Sequence, residues 1–248
     1  DIGFLHTGVE KNMEAKTYQK AEVMSDRLDY MNTVGNTLAY SLAVEKLVEL
    51  DVPPRAQAIR VILAELTRFQ SHLVWLGTSA LDLAAMSMFL YCFREREYIL
   101  DVMEMCSGQR MMTTYIRPGG LWRDTPVEFE AAVRDILKTF PKRVDEYEAL
   151  LTRNPLMLDR TYGIGKLTGE ECLNFGVTGP MLRASGVNWD LRRDRPYSGY
   201  EQYEFEVPTR TEGDTFARYI VHIDEFRESL KIVEQALTKL PKGPVQSS

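Results

Sequence analysis

PRAQAIRVILAELTRFQSHLVW occupies residues 54–75 and determines the centre of the fold. Its apolar side chains recur at intervals of 3, 4, 3 and 4 residues, at Ile59, Ile62, Leu66, Phe69 and Leu73. This spacing places them on one stripe of an α-helix that can pack against a core. Proline is acceptable in the first helical turn at residue 54 and glycine can stop the helix at 77, so the sequence predicts a helix over 54–75.

Four other segments show helical periodicity. Apolar residues at 31, 34, 38 and 42 share one face, and a long helix is predicted over Met86–Met105. The segment Phe129–Leu151 carries an apolar stripe with Pro141 inside it, so either a kinked helix or two helices are expected. The last long helix is predicted from Asp214 to Leu240.

Residues 153–213 differ in composition from the helical segments, because they hold eight of the 16 glycines. Within them Tyr203, Phe205 and Val207 alternate with two glutamates, which is typical of a strand. The sequence therefore predicts one domain of mainly α class, a helical bundle with a small α+β insertion. Its expected parts are a helical core (1–152), an irregular insertion with short strands (153–213), a long C-terminal helix (214–241) and a disordered tail (242–248).

Composition excludes several classes of protein. The net charge of −6 argues against a nucleic-acid binder, which needs a basic face. Three separate cysteines form no CxxC pair, so neither a disulfide framework nor a complete metal site is predicted, and packing as reduced thiols is expected. No apolar run reaches the length of a membrane span, and no signal peptide is visible. A start at Asp1 rather than Met suggests a processed or excised fragment.

Motifs of self-contained enzymes are also lacking. The sequence has no Walker A loop, HExxH or GxSxG motif, and the glycines at 163, 165 and 169 have the wrong spacing for a dinucleotide turn. Of the three histidines, His72 and His222 lie in predicted helices, where packing or surface roles are expected. Taken alone, these residues describe an incomplete enzyme, a scaffold or a binding module.

Seven motifs, in order along the chain, carry a resemblance to a known family. They are HTGVEK (6–11), SDRLDY (25–30), LAYSLAVEKL (38–47), VPPRAQAIRVILAELTR (52–68), FRERE (93–97), GQRMMTTYIRPGG (108–120) and TGPMLRASGVNWDLR (178–192). The chain resembles the D, or 49-kDa-type, quinone-site subunit of NADH–quinone oxidoreductase (respiratory complex I). That family is related to the large subunit of nickel–iron hydrogenases, so a hydrogenase-like helical fold is implied.

The resemblance leaves alternatives open. Hydrogenases hold their metal with cysteine pairs, and no cysteine occurs in RLDYMN (27–32), where the first pair would lie. This argues against a membrane-bound hydrogenase complex, whereas a ferredoxin-linked quinone reductase stays open because the electron donor is not encoded here. A non-catalytic scaffold is the remaining alternative.

Tyr30 and Asp82 are the catalytic residues that the resemblance implies. The tyrosine hydrogen-bonds a carbonyl of the quinone headgroup, which suits a neutral phenol that can also donate a proton. Asp82 matches the carboxylate that pairs with a second quinone ligand, a histidine upstream of this chain. From the residues alone, Tyr30 could instead pack at a helix start and Asp82 could be a helix N-cap.

His6, Arg27 and Met112 are implied to lie near the terminal 4Fe-4S cluster, which a partner subunit holds. Positive charge close to a cluster raises its reduction potential; an ion pair of Arg27 with Asp26, Asp29 or Glu22 is the alternative. Met112 stands where many members have a histidine. Because a thioether cannot titrate, we expect a lower, less pH-sensitive cluster potential, which suits a low-potential quinone such as menaquinone.

The expected protein is thus a core peripheral-arm subunit of a proton-pumping translocase in the respiratory chain. Its expected partners are the iron–sulfur subunit, other peripheral-arm subunits, the membrane arm and quinone, with no nucleic acid. It binds neither a metal nor another cofactor by itself, NADH docks elsewhere, and the isolated fragment is expected to be inactive. The resemblance implies a peripheral location on the cytoplasmic side of a bacterial inner membrane, or the equivalent matrix side.

Overall fold

The computed structural model describes residues 3–247. Its elements are α1 (Val9–Glu14), α2 (Tyr18–Ser25), α3 (Thr33–Leu47), α4 (Pro54–Asp82), α5 (Met86–Ser107), β1 (Ile116–Arg117), β2 (Gly120–Leu121), α6 (Phe129–Leu151), α7 (Pro155–Thr161), α8 (Gly169–Asn174), α9 (Gly179–Ala184), α10 (Leu191–Asp194), a 3₁₀ turn (Tyr200–Gln202) and α11 (Thr215–Thr238). The mainly α fold class is confirmed.

Helix α4 is the centre of the core, packed against α5 on one side and α11 on another. The predicted stripe of 54–75 is fully buried, and the Phe69 ring lies 5.0 Å from Phe140 on α6 and 4.4 Å from Phe226 on α11. Burying a side chain of this size contributes roughly 1.5–3 kcal/mol. The stripe therefore joins three of the long helices.

The predicted end of α4 at Gly77 is wrong, because the helix continues to Asp82. A Cβ at Gly77 would lie 3.3 Å from both the Cβ of Cys92 and the Cα of Phe89 on α5. The glycine therefore allows close packing of two helices and does not end the first one. Likewise α6 is a single helix through Pro141, which lies on its exposed face.

The predicted strand at 203–207 is wrong. The segment is extended, but its backbone is bound by side chains of α11: Glu204 N donates to Gln235 Oε1 (2.9 Å) and Glu206 N to Glu228 Oε2 (2.7 Å). The alternation reflects burial of Tyr203 and Phe205 rather than a sheet. In the described part of the chain the one ladder is the antiparallel pair β1–β2, which the sequence did not predict.

The tail was predicted to be disordered, and this is wrong for the part up to residue 247. Leu121 N donates to Val245 O and Ser247 N to Gly119 O, both at 2.8 Å, and Gln246 forms a bridge with Gly120. The tail thus extends the small ladder; Ser248 lies outside the described residues. No helix in the described range is long and apolar enough to cross a membrane.

Gly120→Ala is expected to destabilise the chain. Gly120 has a φ of +149°, and an added Cβ would lie 1.9 Å from Val245 O, so the tail would have to move. We expect the free energy of unfolding in urea to fall by about 3 kcal/mol. Gly163→Ala is the control, because Gly163 also has a positive φ (+71°) but has open space around it. Equal losses in the two variants would contradict the role of the tail contact.

Candidate quinone-reductase site

The SDRLDY motif forms the end of α2 and the turn before α3. Asp29 holds this turn: its Oδ1 accepts from Met31 N (3.0 Å), and its carbonyl accepts from Asn36 Nδ2 (2.8 Å). Tyr30, at the tip, is 62% exposed. The alternative of a tyrosine packed at the start of a helix does not fit this exposure.

A cavity of about 540 Å³ lies beside this turn. It is bounded by the turn, α3, α4 and the segment 191–200, through Asp29, Asn32, Gly35, Leu38, Ala39, Leu42, Ala64, Arg68, Ser71, His72, Leu191, Tyr197 and Tyr200. The walls are mostly apolar, with polar groups contributed by the turn and by α4. Tyr30 follows Asp29, which lines the cavity, but Tyr30 itself is not one of the lining residues.

A buried polar network supports one wall of the cavity. Glu65 on α4 accepts two contacts of 3.0 Å from Arg192 and a 2.6 Å hydrogen bond from the Tyr200 hydroxyl. Burial, and then the Glu65 charge, raises the pKa of Tyr200 well above its usual value. Although burial alone would raise the pKa of Asp190, hydrogen bonds and charge contact with Arg192 lower it to about 2. These contacts fix the wall, and Asp190 stays charged at neutral pH.

A second buried network lies behind His72. Its Nε2 lies 2.7 Å from Glu225 Oε2, and Arg183 binds the other oxygen of Glu225 at 2.5 Å. Although burial opposes this, His72 and Arg183 hold the pKa of Glu225 well below its usual range. His222 stacks on Trp75 with ring centroids 3.7 Å apart, and burial lowers its pKa to about 3. Of the packing and surface roles expected for these histidines, packing fits the buried His72 and the half-buried His222.

Asp82 is the last residue of α4, so the alternative reading as an N-cap is wrong. It is exposed, and no hydrogen bond or ion pair to its side chain is formed within 3–247. It lies ten residues beyond His72, roughly 15 Å along the helix axis. Asp82 therefore does not line the cavity beside Tyr30.

Arg27 and Met112 lie on two segments that Asp26 joins. Asp26 Oδ2 accepts hydrogen bonds from Thr114 N (3.0 Å) and Thr114 Oγ1 (2.8 Å), which link SDRLDY to GQRMMTTYIRPGG. The exposed Arg27 donates to Val23 O and makes none of the three predicted ion pairs among the described residues. Met112 is half-buried.

His6 is exposed before α1. The three cysteines are buried and free, as predicted, and burial raises the pKa of Cys92 and Cys106 to about 12. No group of three possible metal ligands is found between residues 3 and 247.

Sequence reasoning missed these two networks and two further buried features. One is the ion pair of Glu45 with Arg60, and the other is the carboxyl group of Glu22. A usable signal for the first was Arg60 itself, since a charged residue inside the apolar run 58–64 needs a buried partner. Glu22 carried no such signal, because its helix has little apolar periodicity.

Comparison with known families places the chain in the class of respiratory-chain dehydrogenase subunits. The family model described as respiratory-chain NADH dehydrogenase, 49 Kd subunit, matches residues 82–248. The chain belongs to that family.

Curated relatives agree with this assignment. The chain is 60% identical over 240 residues to the NADH-quinone oxidoreductase D subunit (copy 1) of Roseiflexus castenholzii, covering 97% of the chain and 58% of the relative. It is 56% identical over 251 residues to the D subunit (copy 2) of Chloroflexus aurantiacus (100% and 61%), and 56% identical over 244 residues to the D subunit of Geotalea uraniireducens (98% and 63%). The chain thus spans about three fifths of the length of these relatives.

Proposed function

We propose that the chain forms part of the quinone-reducing site of an NADH–quinone oxidoreductase. The observation that carries the proposal is the turn 26–32, which presents Tyr30 beside a 540 Å³ cavity with mostly apolar walls. A quinone headgroup is flat and largely apolar with two carbonyl acceptors. It therefore suits a cleft with a few polar groups near its mouth.

Tyr30 acts as the hydrogen-bond and proton donor to one quinone carbonyl. Its exposure leaves the hydroxyl free to reach a ligand, while the Asp29 bonds hold the turn that carries it. A donor fixed by its backbone requires little reorganisation when charge develops on the quinone oxygen. Asp82 lies outside this contact, and its proposed role is to orient a histidine of the longer protein.

Arg27, Met112 and His6 form the face toward an iron–sulfur subunit. A cluster held by that partner would supply the electrons, and the guanidinium of Arg27 would add a fixed positive charge near it. Asp26 supports this face by holding the loop of Met112 against α2 through Thr114. Two electrons and two protons convert the quinone to the quinol.

The wider setting belongs to the same proposal. The electrons originate from NADH bound by other subunits, and quinone reduction drives proton pumping in a membrane arm. The chain is a peripheral subunit on the cytoplasmic or matrix side of that membrane, and the quinone is a low-potential type such as menaquinone.

Photolabelling of the assembled complex with a photoreactive short-chain quinone tests the proposal. We expect label on the peptide that contains residues 26–32, and loss of that label when excess unlabelled quinone is added. The peptide around Tyr162 is the internal control, because Tyr162 is similarly exposed (66%) but its neighbours in the chain do not line the cavity, whereas Asp29 and Asn32 of the turn do. Label confined to peptides outside 26–32 and the cavity walls would contradict the proposed site.

A further inference from the structure

Glu22 is a buried carboxyl group without a partner among the described residues. It lies on α2 with 2% of its surface exposed, and its Oε1 is buried without a hydrogen bond in the described structure. No Lys, Arg or His nitrogen of residues 3–247 lies within ion-pair distance of it. Transfer of an ionised carboxylate into such surroundings is unfavourable, so the neutral acid is favoured.

Asp26 lies one helical turn further on, and it is fully buried. Its Oδ1 also lacks a partner in the described structure, but its Oδ2 accepts the two hydrogen bonds from Thr114. Burial raises the pKa of Asp26 as well, whereas these hydrogen bonds oppose the rise because they favour the charged form. Of the two neighbouring carboxyl groups, Glu22 is therefore the one without a hydrogen bond among the described residues that favours its charged form.

The groups around Glu22 come from four elements. Carboxyl groups act on it from the C-terminal end of α2 and from α3, a phenol from α3, and guanidinium groups from α4 and β1: Asp26, Glu45, Tyr40, Arg60 and Arg117. Glu45 and Arg60 neutralise each other in a 2.5 Å pair. Burial outweighs the remaining charges and raises the pKa of Glu22 to about 8.

Glu22 is buried on α2, the helix that leads into the turn of the exposed Arg27. The Arg27 guanidinium bends back to the carbonyl of Val23, the residue next to Glu22. Asp26 connects the same helix turn to the loop of Met112 through Thr114. A negative charge added beside Arg27 would favour the protonated form of Glu22, and screening by solvent is weaker at a buried carboxyl group than at an exposed one.

We propose that Glu22 is a proton-binding site that takes up a proton when an electron arrives at the face formed by Arg27 and Met112. This rests on the proposed function, because the partner's cluster brings that electron. The step is balanced above about pH 8, where Glu22 is ionised before reduction. One electron would reduce the partner's cluster, and one proton from solvent would convert the Glu22 carboxylate to the acid. Glu22 thereby supplies a titratable group that Met112 cannot.

The pH range of the effect follows from the direction of the shift. Below about pH 8 Glu22 already holds its proton. The reduction potential of the cluster therefore does not change with pH in this range, which is also what the non-titrating Met112 predicts. Above that range Glu22 is ionised before reduction and protonated after it. The midpoint potential therefore falls as pH rises past about 8.

An EPR redox titration of the assembled complex at several pH values below and above 8 tests this inference. We expect the midpoint potential of the wild type to be constant below about pH 8 and to fall above it. The midpoint potential of the Glu22→Gln variant should be constant over the whole pH range. Glu22→Met is a second variant, in case the amide disturbs assembly. Glu14→Gln is the matched control, because Glu14 is exposed on α1, and it should titrate like the wild type.

A wild-type midpoint that is level at all pH values, or equal slopes in wild type and both Glu22 variants, would overturn the inference. Neither result would affect the proposed quinone site, because labelling of residues 26–32 does not depend on Glu22. Conversely, failure of that labelling with a retained difference between wild type and Glu22→Gln would overturn the quinone site alone.

Unfolding of the chain provides a readout that needs no partner. Glu22 has a raised pKa in the folded chain, so its contribution to stability is present below its unfolded pKa and lost as pH rises toward 8. Glu22→Gln should therefore gain urea resistance relative to the wild type at pH 8 but not at pH 4. An equal difference at both pH values would show that Glu22 does not hold a proton and would overturn the inference.

Discussion

Arg60→Leu should lower the free energy of unfolding of the chain by about 3–5 kcal/mol. Arg60 is fully buried on α4 and forms a double contact with Glu45 on α3, at 2.5 and 3.1 Å. It also donates to the carbonyls of Arg117 and Gly120, and Glu45 accepts from Gly119 N at 2.8 Å. Leucine fills part of the volume but leaves a buried carboxylate and two carbonyls without their donor.

Urea unfolding of the variant checks this expectation. Arg134→Leu is the control, because Arg134 forms a 3.5 Å pair with Glu130 in which both side chains are more than half exposed. Such surface pairs contribute between about 0 and 1 kcal/mol. If Arg60→Leu cost no more than Arg134→Leu, the buried pair would not be the connection between α3, α4 and the small ladder.

The long helices could be predicted from the sequence because their packing repeats at helical spacing. The stripe at 59–73 and the helix at 129–151 are clear on this criterion, and both are buried as expected. The error at Gly77 has a specific cause. A glycine in a helix has the same sequence signature whether it ends the helix or admits a neighbouring one, and only the position of Phe89 decides between the two.

Non-local contacts explain the other errors. The segment 203–207 alternates like a strand, but its hydrogen-bond partners are Gln235 and Glu228 on a helix that begins later in the chain. The tail contains proline and glycine and reads as disordered, yet it pairs with Gly120, more than a hundred residues earlier. Periodicity within a segment carries no information about a partner at that separation.

The candidate site also has one part that the sequence predicted and another part that depends on contacts between distant residues. The motifs predicted roles for Tyr30, Arg27 and Met112, and the structure adds a connection between the segments 25–30 and 108–120 through Asp26 and Thr114. Spacing could not reveal this connection, since the two residues are 88 positions apart. The buried carboxyl of Glu22 was missed for the same reason, because its burial depends on elements that follow it.

Tyr30→Phe should lower NADH-driven quinone reduction by a factor of about 100, because general-acid groups contribute at least that much. The substitution removes one oxygen from an exposed side chain, so assembly and stability should not change. Oxidation of NADH with an artificial acceptor bypasses the quinone and serves as the internal control. Tyr162→Phe, at a similarly exposed tyrosine, controls for the loss of a surface hydroxyl.

The decisive measurement for the proposed quinone site is this pair of rates in the assembled complex that carries Tyr30→Phe. We expect quinone reduction to collapse while the artificial-acceptor rate stays at the wild-type level, and we expect Tyr162→Phe to leave both rates unchanged. If Tyr30→Phe reduces quinone at the wild-type rate, Tyr30 is not the donor to the quinone. The turn 26–32 would then be a structural feature, as expected for a scaffold.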